Sequence, residues 1–274
     1  MHPLNSSVEQ HYYREGIFET ILDALRQQGI INITRKDISA VDEFHVRGAT
    51  VSAELAREAG FTENSKVLDV GCGIGGPCRM LADEYGCKVT GIDITTEFIR
   101  TAGLLSRLVG LNDLTDFIQA DALQLPFDDK SFDFVWTQHV QMNIENKKRF
   151  YSEIKRVLTE KGVFIYYDIF SRNKQSITYP VPWANDESLS YLVTLTELDD
   201  LLSGSGFIKI ETKDQTNEAI KFFTELLNRQ SKDGPSKMGL HLLIENTGEK
   251  IGNLLKNIKE NKLELQSGIY QKNG

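Results

Sequence analysis

The 274-residue chain has only 3 cysteines, 2 tryptophans and 6 prolines. Cys72, Cys78 and Cys87 cannot all pair, and none stands in a C-x-x-C. This excludes a disulfide framework and the ligand spacing of a zinc site, and free thiols point to a reducing, cytoplasmic setting. Positive charge is also short: 31 Lys+Arg against 39 Asp+Glu give a net charge of -8. That balance argues against a nucleic-acid partner, which needs clustered basic residues. No apolar run approaches the 18 residues of a membrane span, and no N-terminal stretch resembles a secretory leader. There is no internal repeat or low-complexity tract. With 40% hydrophobic and 26% charged residues, the expectation is one soluble domain with a full core.

What is present is concentrated in Lys66-Val67-Leu68-Asp69-Val70-Gly71-Cys72-Gly73-Ile74-Gly75-Gly76. A short apolar strand carries an acid near its end, then breaks into glycines before a helix. Gly71, Gly73 and Gly76 fit G-x-G-x-x-G, which suggests dinucleotide binding. Asp69 favours a different ligand. A carboxylate beside the turn repels a pyrophosphate but helps to position an ammonium group. S-adenosylmethionine has an amino-acid tail, a sulfonium and no phosphate. A tight strand-to-helix turn without any ligand is the plain structural alternative.

Two further predicted strands end in acids in the same way. Lys88 to Asp93 places Asp93 20 residues after Gly73, where a Rossmann-type fold sets an acid on ribose hydroxyls; Ile94 then packs on the adenine. Phe117 to Asp121 places Asp121 and the backbone of Ala122 at the ring edge. A lone Asp at a strand end is usually a cap or turn residue; three in succession after a glycine turn are harder to dismiss.

Together, Val67 to Gly75, Gly91-Ile92-Asp93, Gln119-Ala120-Asp121-Ala122, Leu125-Pro126-Phe127, Ser131-Phe132-Asp133 and Arg156-Val157-Leu158 with Lys161-Gly162 resemble the class I S-adenosylmethionine-dependent methyltransferases. The resemblance covers residues 40 to 170. Within that class the chain is similar to the small-molecule branch that includes ubiquinone/menaquinone and glycine, sarcosine and dimethylglycine methyltransferases. Asp42-Glu43-Phe44-His45-Val46-Arg47-Gly48 and Trp136-Thr137-Gln138-His139 lean to the sarcosine side. The resemblance implies a seven-stranded, doubly wound, mostly parallel α/β sheet and S-adenosyl-L-methionine as donor, with S-adenosyl-L-homocysteine as product. It also implies a donor site at Asp69, Gly71, Gly73, Gly75, Asp93, Ile94, Asp121, Ala122 and Gln138. In similar methyltransferases an N-terminal segment folds over the donor, which brings Tyr13 and Arg47 to the methionine carboxylate.

The periodicity agrees with an α/β order. Residues 8–28 predict one amphipathic helix and 49–59 a second. Strand and helix then alternate to Phe170, with Val163–Phe170 nearly all apolar, as in a buried parallel strand. The stretch 171–191 has no period and is long enough for a lid. Thr194 with Glu197 offers a capping box for a helix through Leu198, Leu201 and Leu202; helices follow over 217–230 and about 239–260, with Leu263–Gln271 a last strand. The single domain thus divides into a helical cap (1–60), a donor core (61–170) and a lid, helical insertion and final strands (171–274).

Candidates for the acceptor are His45, His139, Asn143 and Trp183. His139, after the fourth strand, could take a proton, hold the acceptor's polar group, or only bond a loop backbone. Asn143 could bond substrate or cap the helix starting near Ile144. Trp183 could close over the site or pin its loop. Asp168 is a weaker candidate, and Tyr166 and Tyr167 read as core. There is no clustered carboxylate pair for a metal. The leading expectation is methyl transfer to a small molecule at an amine nitrogen, ring carbon or hydroxyl oxygen. The alternatives are a dinucleotide-dependent oxidoreductase and an inactive donor-binding module.

Overall fold

A computed structural model describes residues 3–43, 45–234 and 238–273. Phe44 of the sequence motif lies outside the described residues. Seven strands form one sheet: β1 (Lys66–Val70), β2 (Lys88–Asp93), β3 (Thr115–Gln119), β4 (Phe132–Gln138), β5 (Leu158–Ser171), β6 (Phe207–Asp214) and β7 (Leu263–Lys272). Their order is β3-β2-β1-β4-β5-β7-β6. The pairs from β3 to β5 are parallel, and β7 runs antiparallel between β5 and β6. This is the expected doubly wound, mostly parallel α/β fold. The order reverses between β1 and β4, so the carboxyl ends of those strands open a crevice, where sheets of this kind bind ligands.

Burial explains the central strands. Val67, Leu68 and Val70 of β1 and every residue from Phe164 to Ser171 of β5 are buried. Helices α5 (Gly76–Tyr85), α6 (Thr96–Leu108) and α7 (Lys147–Val157) connect the parallel strands. In α7, Phe150, Ile154 and Val157 form one buried face. Helix α8 (Leu195–Gly204) begins with the expected capping box of Thr194 and Glu197.

The cover departs from the sequence pattern in places. The single helix expected over 8–28 is two, α1 (Pro3–Tyr12) and α2 (Ile17–Arg26), because Gly16 adopts a left-handed conformation (φ 73°) that α-helix cannot continue through. In α2 the spacing of Ile17, Ile21 and Leu25 buries one stripe. Helices α3 (Arg35–Asp42) and α4 (Ala49–Ala59) follow. Beyond the sheet core, α9 spans Thr216–Asp233. The second helix of this region is shorter than expected: α10 runs Thr247–Lys259, after Asn246 at φ 53°. A short 3-10 turn at Leu240–Leu242 occupies part of the difference. Strand β3 ends at Gln119, so Asp121 stands in the turn beyond it rather than in the strand.

Candidate active site

The glycine turn is tied to the sheet by the Gly71 and Cys72 amides, which both donate to Ile92 O at 2.8 and 2.9 Å. Its three glycines do different work. A Cβ at Gly71 would lie 2.4 Å from Val140 Cγ2, and one at Gly75 2.7 Å from the Phe117 ring. Those two positions keep helix and strand close. Gly73 has φ 54°, and a Cβ there would meet nothing within 4 Å; it faces the open cavity. Gly75 is therefore not a ligand-facing residue, contrary to the sequence expectation. It packs behind the turn and does not line the cavity.

A buried residue that the sequence reading missed supports this turn. Arg79 of α5, fully buried, donates to Asp42 Oδ2 at 2.9 Å and to Ile74 O at 2.6 Å. It also reaches Ala102 O and Ser106 Oγ. Gly76 allows the approach, since a Cβ there would lie 2.1 Å from Asp42 O. The end of α3 is thereby locked onto the start of α5. Removing one partner of such a pair leaves an uncompensated buried charge.

Three acids converge on one cavity of about 840 Å³, together with Gly71, Gly73 and Ile94. Asp69 is 2% exposed, and Cys78 Sγ donates to its Oδ2 at 3.2 Å. Burial pushes its carboxyl up to about 7. Asp93 accepts from the Gly73 amide at 3.0 Å and from the Thr95 amide at 2.8 Å. Burial raises its pKa, against the pull of those amides. An ionised carboxylate has about four acceptor sites, so Asp93 can hold the turn and still accept from a diol. Asp121 Oδ1 accepts from Leu123 N at 2.8 Å, which turns Ala122 toward the cavity.

At the carboxyl end of β4 a polar hub closes one wall. Gln138 Oε1 accepts from Trp136 Nε1 at 2.9 Å. Ser52 Oγ of α4 donates to Glu43 Oε2 at 2.9 Å and lies 3.0 Å from His45 Nε2. Burial pushes Glu43 up to about 8, helped by Asp42, and pulls His45 down to about 4. His139 is held at φ 54° by its amide, which donates to Tyr167 O at 2.8 Å. Its ring lines the cavity, packed 5.0 Å from that of Tyr167. Burial, and then His45, lower its pKa well below the ordinary value, so it is neutral at pH 7. Among the described residues its Nε2 has no hydrogen-bond partner.

Other sequence candidates sit differently. Arg47 turns outward: it pairs with Glu54 at 2.6 and 2.9 Å and donates to Gln215 Oε1 at 2.8 Å, in a separate surface depression. Its salt-bridge geometry leaves it away from the cavity. Tyr13 is 54% exposed, because α1 ends at Tyr12 and the next side chain points off the other way. Tyr12 takes the inward place, donating to Asn143 Oδ1 at 2.9 Å. Asn143 does not cap a helix, a role that falls to Asn146. Its Nδ2 donates to Trp183 O and Leu189 O instead, tying α1, the end of β4 and the 171–191 stretch together. Trp183 lines the cavity, is 2% exposed, and donates through Nε1 to Ser190 Oγ at 3.0 Å. Asp168 accepts from the amides of Val140, Gln141 and Ile169, which makes it a brace for the wall carrying His139.

Residues 68–166 match the family described as "Methyltransferase domain". A sterol 24-C-methyltransferase of Gibberella zeae is 40% identical over 114 residues, covering 42% of this chain and 30% of that protein. Methyltransferase GfsG of Streptomyces halstedii is 32% identical over 136 residues, covering 50% and 49%. The chain thus spans less than half the length of the curated relatives it matches. Among solved structures, geranyl diphosphate C-methyltransferase from Streptomyces coelicolor superposes with a TM-score of 0.73 at 14% identity, covering 98% of each chain. Phosphoethanolamine N-methyltransferase 2 of Haemonchus contortus gives 0.72 at 21% identity, covering 93% of this chain and 60% of that one. Those two likenesses speak for the fold. The segment 68–166 is thus similar to methyltransferase domains, and the whole chain shares their fold.

Proposed function

We propose that the protein transfers a methyl group from S-adenosyl-L-methionine to a small-molecule acceptor. The observation that carries this is the meeting of Asp69, Asp93 and Asp121 with the open face of Gly73 in one cavity. The set suits a cationic, phosphate-free nucleoside. Asp93 would accept from the ribose hydroxyls, Asp69 would hold the ammonium, and Asp121 with Ala122 would meet the adenine edge beside Ile94. A pyrophosphate at the glycine turn would meet the carboxylate of Asp69, which speaks against the dinucleotide-dependent alternative. When bound, the donor supplies a methyl carbon on a sulfonium, whose sulfur takes the bonding electron pair as the carbon leaves.

The chain's part is positioning and exclusion of water, which can contribute about 7–11 kcal/mol to such a reaction. Gln138, His45 and His139 form the wall at the end of β4, where the acceptor's reacting atom belongs. His139 is neutral and can take a proton from an acceptor that has one to lose, but burial makes it a weak base, so its main part is to hold the acceptor's polar group. Asn143 and Trp183 act as cover rather than as chemical groups. We read the chain as a single cytoplasmic domain, on the strength of its three free cysteines. Among the described residues no helix is long and apolar enough to cross a membrane.

The test is isothermal titration with S-adenosylhomocysteine and, separately, NAD. The reading expects saturable binding of the first and none of the second. NAD binding without S-adenosylhomocysteine binding would overturn it. Release of S-adenosylhomocysteine during a metabolite screen would then separate an enzyme from an inactive binding module.

A further inference from the structure

The cavity has two unlike halves. One is the acid-lined turn already described. The other lies beyond the β4 end and is walled by Phe222, Phe223 and Leu226 of α9 and by Ile251 and Leu254 of α10, with Trp183 across from them. Phe223, Ile251, Leu254 and Trp183 are buried. The whole cavity of about 840 Å³ is near the top of the range of about 300–1,000 Å³ for small-molecule sites, which leaves room for a second ligand beside a nucleoside donor.

The apolar half lacks a charged partner for an anion. Among the described residues that line it, Arg229 is the one Lys or Arg, and it is exposed to solvent. Lys250 of α10 is buried but does not line the cavity, and the other cations nearby have other duties. Arg79 holds Asp42. Lys147 donates through Nζ to the carbonyls of Gln141, Ile144 and Tyr191. Arg47 faces the opposite surface with Glu54. Among the described residues no group of three or more His, Cys, Asp or Glu could hold a metal to bridge a phosphate. A carboxylate or phosphate taken into the buried part of this half would lose its hydration with no buried, cavity-lining cation to offset the loss.

We propose, resting on the methyl-transfer reading above, that the acceptor is a hydrophobic molecule with an extended hydrocarbon body buried between α9, α10 and Trp183, and with no carboxylate or phosphate at the buried end. An amino acid of the sarcosine type and a phosphoamine are thereby disfavoured. The helical insertion between β6 and β7 is what selects the acceptor, and the strand ends are what hold the donor.

The experiment titrates the full chain, saturated with S-adenosylhomocysteine, with 1-hexanol, 1-octanol and 1-decanol, and in parallel with sarcosine and phosphoethanolamine. Burial of each added methylene tightens binding about fourfold, so hexanol to decanol should gain about two-hundredfold. The two polar compounds should not bind. In Leu254→Asn, or in the half-buried Phe222→Gln if the first does not fold, the gain per methylene should collapse while S-adenosylhomocysteine binds as in the parent. A flat alcohol series, binding of sarcosine or phosphoethanolamine, or an unchanged series in a folded variant would each overturn the acceptor class. Failure of S-adenosylhomocysteine itself to bind would instead overturn the donor reading on which it rests.

Discussion

Donor binding should expel a proton from Asp69, and the amount can be worked out. In the ligand-free protein burial holds this carboxyl at about 7, well above an ordinary Asp. At pH 6 it is therefore about 0.9 protonated, and at pH 8 about 0.1. An ammonium brought against it favours the ionised form and returns the pKa to the ordinary range or below. S-adenosylhomocysteine should then release about 0.9 proton at pH 6, about 0.5 at pH 7 and about 0.1 at pH 8. Affinity should rise almost tenfold per pH unit between 5 and 6 and level off above 7. Titration calorimetry in two buffers of different ionisation enthalpy reads the proton count directly. Asp93 and Asp168 are raised by burial as well, so the informative quantity is the difference from Asp69→Asn. That variant should lose most of the pH 6 release while staying folded, since it removes one buried acid and keeps an acceptor for Cys78. A parent that releases no proton at pH 6, or an Asp69→Asn protein that releases as much, would refute the placement of the ammonium.

Asp93→Ala removes a charged acceptor from the ribose, worth about 1.5–3 kcal/mol, so S-adenosylhomocysteine affinity should fall by about ten- to more than a hundredfold; an unchanged Kd in a folded variant takes Asp93 out of the site. Gly73→Val should abolish donor binding because its side chain enters open cavity, with some loss of stability from a β-branched residue held at φ 54°, whereas Gly71→Ala should lower the melting temperature through its clash with Val140; normal donor binding by a folded Gly73→Val contradicts the turn's role. Glu43, raised to about 8, favours its protonated form in the folded protein, so its contribution to stability is full below about pH 4 and lost as pH rises through 8. The melting temperature of Glu43→Gln relative to the parent should accordingly climb from pH 5 to 8, and a difference independent of pH would remove Glu43 from the buried set. Once an acceptor is known, turnover should be indifferent to EDTA; loss of activity restored by magnesium would show that a divalent ion takes part.

The donor half was legible in the amino-acid order because it is local. One strand, its acid and its glycine turn lie within Lys66–Gly76, and Asp93 and Asp121 follow at the ends of the next two β-strand patterns. Parallel strands with helical crossovers bring such ends to one edge whatever the details of packing, so spacing alone was enough to bring Asp69, Gly73 and Asp93 to one cavity. The capping box at Thr194 and the buried run of β5 were readable for the same reason.

What contacts across the chain decide could not be read. Tyr12 rather than Tyr13 faces inward because adjacent helical positions point about 100° apart, and which of two neighbouring tyrosines meets the cavity is set by how α1 docks. Arg47 faces away from the cavity because Glu54 and the distant Gln215 capture it. The Arg79–Asp42 pair joins residues 37 positions apart, and no local pattern marks either as buried. The apolar half of the cavity depends on how α9 and α10 fold back over β7. Their sequences fix only an amphipathic stripe, and whether such a stripe meets the sheet, another helix or an acceptor is settled by tertiary packing.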